Sequence, residues 1–121
     1  MRALIVPLIA VGAVLATTSD EPSERDMRGA FEGALALQVR NALEFAQESG
    51  GPDAVAKIRD GGMDRFAVNS FRKLDCARDA EKPGYVCAFA VDVGLVSGAM
   101  QSKITGRFMS GPDGLVFADG V

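Results

Sequence analysis

The sequence contains no histidine and no tryptophan, one tyrosine and two cysteines in 121 residues. Without histidine the commonest general base near neutral pH is missing, which excludes serine–histidine and cysteine–histidine hydrolysis. Two cysteines alone fall short of the four ligands of a structural zinc site. There is no GxSxG motif, no phosphate-cradling glycine loop with lysine and no metal-ligand cluster. Lysine and arginine are scattered, the net charge is −3, and a single tyrosine offers little to stack on bases, so nucleic acid is excluded as a partner. No apolar run reaches the roughly 20 residues that span a bilayer as a helix.

The longest uncharged, mostly apolar run covers 3–16, behind a positive Arg2. Val14 and Ala16 occupy the −3 and −1 positions of a signal-peptidase site, and a polar, acidic stretch begins at Thr17. This layout predicts a signal peptide over 1–16, a flexible polar leader over 17–25 and a single domain over 26–121. The chain is expected to be exported, to the periplasm or beyond the cell. It would touch the membrane only through the signal segment, if that segment stays uncleaved.

Ser23 with Asp26 three residues on reads as a helix N-cap. A helix is predicted over 26–48 and stops at Ser49-Gly50-Gly51. Met27, Phe31, Ala34, Leu35, Ala42, Phe45 and Ala46 share one face of it, with Gln38 near the middle. Pro52 suits a first turn and predicts a second, short helix over 52–60. After Gly62 the period changes to two, giving strands over 64–75, 85–96, 100–109 and 115–118. Ser97-Gly98 and the segment Ser110 to Gly114 supply the later turns.

Parity then tests the register. With Cys76 facing Cys87, Leu74 faces Phe89 and Ser70 faces Val93. A turn at Ser97-Gly98 sets Leu95 opposite Met100, Val93 opposite Ser102 and Cys87 opposite Phe108. These residues fall on one side of the sheet. The predicted fold is α+β: the N-terminal helix, with the short second helix, packs on one face of a four-stranded antiparallel meander.

Ten residues separate Cys76 from Cys87. A redox dithiol normally has two between its cysteines, and a catalytic thiolate wants a basic partner. In a small exported chain a structural disulfide is expected, contributing on the order of 3 kcal/mol by closing that loop.

The string Phe71-Arg72-Lys73-Leu74, Cys76, Gly84-Tyr85, Cys87, Phe89, Gly106-Arg107-Phe108 and Asp113-Gly114 resembles small exported bacterial domains of unknown function. The architecture resembles cystatin-like and NTF2-like α+β rolls. Both resemblances imply the fold alone. Val96-Ser97-Gly98 is similar to the cystatin inhibitory hairpin, but the glutamine expected before it is absent and the hairpin falls one place too late in strand order.

Two candidate sites follow from the register. Gln38, Ser70, Arg72 and Ser102 are polar on the inner face and predict a pocket between helix and sheet, with Arg72 at its mouth to meet a carboxylate or phosphate. Gly106 would make room there. On the outer face, Phe71, Lys73, Val86, Asp92, Lys103 and Arg107 form a candidate interaction surface, with Asp92 opposite Lys103. The carboxylate pairs Asp75 with Asp79 and Asp60 with Asp64 lie beside turns, where acids are ordinary solvated or capping groups. No catalytic residue, metal or cofactor is expected. The reading is an exported, non-enzymatic protein-binding or accessory module, of inhibitor or immunity type, with a protein partner or a second copy of itself. The alternative is a small-molecule binder using the helix–sheet pocket. The first expects a filled helix–sheet core, and the second a cavity there.

Overall fold

The computed structural model describes residues 21–78 and 81–119. The predicted signal peptide, the first part of the leader and Asp79 lie outside them. One helix, α1 (Glu24–Asp60), precedes strands β1 (Ala67–Arg78), β2 (Tyr85–Leu95), β3 (Gly98–Gly111) and β4 (Gly114–Asp119). The strands form an open antiparallel sheet in the order β1-β2-β3-β4, with α1 on one face. No helix among the described residues is long and apolar enough to cross a membrane.

The helix begins where its capping chemistry places it. Ser23 is extended and its hydroxyl accepts from the Asp26 N–H at 3.1 Å. Glu24 and Asp26 sit in the first turn and Lys57 and Arg59 in the last, matching the helix dipole. The expected stop at Gly50-Gly51 is instead a kink within one helical stretch. Gly51 adopts φ 71°, ψ −162°, and Pro52 opens the next turn, where its missing N–H costs nothing. A separate second helix is thus replaced by the bent continuation of α1.

Residues 21–25 of the expected leader are pinned to β1. Lys73 pairs with Glu21 at 2.6 Å and donates to the Pro22 carbonyl at 2.7 Å. The Lys73 N–H donates to the Glu24 carboxylate at 2.9 Å, and Arg28 donates to the Val68 carbonyl at 2.6 Å. The start of α1 therefore occupies backbone groups on the β1 edge.

The core is aromatic. Phe31 of α1 lies against Phe71, Phe89 and Phe117, with ring centroids 5.3–6.0 Å apart. Phe108 completes the cluster, and Met27 and Cys87 are fully buried beside it. Gly106 is required here, because the Phe117 ring rests on it; an added Cβ would lie 2.7 Å from Cζ. The space expected at Gly106 is filled by that ring.

Cys76 faces Cys87 across β1 and β2, and the two form a disulfide. Beyond that pair the predicted β1 register fails. Leu74 and Asn69 are extra residues in β1, at two bulges, so Lys73 faces Phe89, Phe71 faces Val91 and Val68 faces Val93. The first bulge reverses parity: Phe71 turns inward, and Ser70 and Arg72 turn out into solvent. A bulge forfeits a ladder bond worth about 0.5–1.5 kcal/mol. Burying a phenylalanine contributes about 1.5–3 kcal/mol, so the bulge is the cheaper arrangement. In β2–β3 the turn centres on Val96-Ser97, one residue earlier than predicted, and Leu95 faces Gly98. Parity survives but partners slide by two, so Val91 faces Ser102, and Asp92 faces Gln101 where Lys103 was expected.

Candidate functional site

The helix–sheet core is incompletely filled. Beside the aromatic cluster a cleft of about 590 Å³ opens between α1 and the sheet. Its helix wall sets the small residues Gly29, Ala30, Gly33 and Ala34 among the larger Phe31, Leu35 and Leu37. An added Cβ at Gly29 or Gly33 would meet nothing within 4 Å. The floor comes from Val91 and Val93 of β2 with Met100 and Ile104 of β3, and β4 closes one end with Leu115 and Phe117. The cleft is open to solvent, since Leu37, Met100 and Val116 on its rim stay 48%, 51% and 46% exposed.

Among the described residues the lining carries no charged side chain. Its polar side chains are two amides, Gln38 and Asn41, both solvent-exposed on α1 and three residues apart, so on adjacent turns of one face. The cleft can therefore shelter an apolar group and offer amide hydrogen bonds at its mouth. Its described residues present no acid, base, nucleophile or fixed charge.

Of the four predicted pocket residues, Gln38 lies on this cleft. Ser70 and Arg72 are on the other side of the sheet, as the bulge at Leu74 dictates. Ser102 keeps the inner-face parity but is exposed and does not line the cleft. An anion site at Arg72 is thus not assembled.

The predicted outer-face group is also divided. Phe71 is buried in the core, and Lys73 holds the start of α1. Val86, Asp92, Lys103 and Arg107 do share the outer face. Asp92 accepts from Asn69 at 3.1 Å and Gln101 at 3.2 Å, so its partners are amides. Arg107 is only 7% exposed and donates to the Pro83 carbonyl at 3.1 Å. Val86, Ala88 and Ala90 are half-buried. Asp64, from one predicted carboxylate pair, lies 4.0 Å from Arg59 and 3.8 Å from Arg65.

Sequence reasoning missed the residues that shape the cleft. One signal was available: glycine–alanine pairs at 29–30 and 33–34, four residues apart, place a small-residue surface on the helix stripe that faces the sheet. Comparison with protein-family models, curated proteins and solved structures finds no match.

Proposed function

We propose that this protein is an exported, non-enzymatic binding module that holds an uncharged, predominantly apolar small molecule in the cleft between α1 and the sheet. The observation that carries this reading is the cleft itself. Its volume of about 590 Å³ falls within the range of ligand sites, roughly 300–1,000 Å³, and its polar side chains are only the Gln38 and Asn41 amides. A filled core was the condition for the protein-binding alternative on the outer face, and that face has lost Phe71 to the interior. The lack of any charged group among the described residues of the lining argues against catalysis there and against a charged ligand buried within it. Export is supported by the apolar run before Thr17 and by the Cys76–Cys87 disulfide, which suits an oxidising compartment.

The test uses N-phenyl-1-naphthylamine, an uncharged apolar fluorophore. Its emission should rise on binding and be displaced by the native ligand extracted from the export compartment. Ala34→Phe should fill the cleft and abolish the signal, while Ser70→Ala should leave it unchanged. Equal binding by Ala34→Phe and the parent would overturn the reading.

A further inference from the structure

The outward edge of β1 and the part of β3 that runs beyond β4 are treated differently. The β1 edge carries two bulges, and Glu24 and Arg28 of α1 occupy its Lys73 N–H and Val68 C=O. In β3, residues 98–103 pair with β2 on one side only; among the described residues no strand or side chain takes the other. That segment is in continuous register with β2 and every residue of it is exposed.

The hairpins fix which groups are free. Leu95 with Gly98 and Gly111 with Gly114 each close a two-residue turn. Even-numbered β3 residues therefore bond to β2, and odd-numbered ones point the other way. The N–H and C=O groups of Ala99, Gln101 and Lys103 face the open edge. A regular, uncovered edge of this kind is a template for another extended chain.

Side chains beside the edge specify what such a chain must carry. On the inner face Met100 lines the uncharged cleft. On the outer face Lys103 is the one charged residue of the segment, and Gln101 is already engaged by Asp92. We infer that the free edge of β3 captures an extended segment of another polypeptide, with uncharged apolar residues at alternate positions and an acidic residue opposite Lys103. The apolar side chains lie over Met100 at the mouth of the cleft, and the acid meets the Lys103 ammonium. This inference goes beyond the small-molecule reading, because the backbone edge carries it and the cavity volume does not.

The experiment is an NMR titration of the full domain with a synthetic peptide alternating valine and glutamate. The controls are a peptide of the same composition in block order and one alternating valine and lysine. The alternating acidic peptide should bind and slow amide exchange at Ala99, Gln101 and Lys103, and the block peptide should bind about tenfold more weakly. Lys103→Glu should transfer the preference to the valine–lysine peptide. Gln101→Pro deletes an N–H that makes no bond within the sheet, and should weaken binding about tenfold while N-phenyl-1-naphthylamine binding persists. Should Gln101→Pro fail to fold, the charge reversal at Lys103 stands as the test alone. Absence of binding, equal binding of alternating and block peptides, or indifference to Lys103→Glu would overturn the inference. Slowed exchange at these amides without peptide, accompanied by dimerisation, would overturn it in favour of a second copy of this chain. Loss of fluorophore binding in Ala34→Phe with peptide binding retained separates this edge from the cleft.

Discussion

Phe71 stacks on Phe89, ring centroids 4.8 Å apart and planes 20° apart, while its neighbours Ser70 and Arg72 are exposed. The extra residue at Leu74 creates this pairing. Phe71→Ala should therefore cost about 3–5 kcal/mol in a denaturant titration. Arg72→Ala should stay within about 0.5 kcal/mol of the parent. A large loss at Arg72 with a small one at Phe71 would restore the unbulged register.

The disulfide ties β1 to β2 within the stretch Asp75 to Arg78, whose alignment both bulges leave untouched. Cys76→Ser with Cys87→Ser, or reduction by dithiothreitol, should lower stability by about 2–4 kcal/mol and shift the thermal melt accordingly. Thiol titration of the purified protein under native and denaturing conditions should find no free sulfhydryl. An unchanged melt after complete reduction would show that the strands hold register without it.

The anchoring of α1 on β1 gives a local prediction. Glu24→Ala removes the acceptor for the Lys73 N–H, so amide exchange at Lys73 should accelerate. Global stability should fall by only about 1 kcal/mol, since these groups are largely exposed. A uniform acceleration across β1 would instead mean that the helix start holds the whole strand.

Two glycines should respond in opposite directions to alanine. Gly106→Ala drives a methyl into the Phe117 ring and should destabilise by about 1–3 kcal/mol. Gly33→Ala adds a methyl to open space within a helix and should stabilise by up to about 1 kcal/mol. Thermal melts of the two variants compared with the parent decide this. Destabilisation by Gly33→Ala would mean that the helix wall of the cleft is already in contact with the sheet.

Much of the architecture was legible in the residues. Ser23 marked the helix start, alternation after Gly62 marked four strands, and Cys76 with Cys87 marked a cross-strand bridge. What escaped was set by competition between levels. Leu74 and Asn69 carry no local signature of a bulge; they bulge because Phe71 and Val68 reach the core only that way. Gly50-Gly51 reads as a stop, yet one residue in a left-handed conformation with Pro52 behind it redirects a helix instead of ending it. Phe45 falls on the predicted inner stripe but is 70% exposed, on the later part of α1. The cleft depends on how far small residues separate two elements, a quantity that periodicity does not encode.

The grip of Lys73 on Glu21 and Pro22 also separates the two flanks of the sheet. Glu21 and Pro22 thus lie on the β1 flank, two strands and about 10 Å across the sheet from the part of β3 that only β2 pairs among the described residues. A strand docking at that far side would leave the anchor of α1 on β1 undisturbed, so one end of the sheet can be occupied without loosening the other.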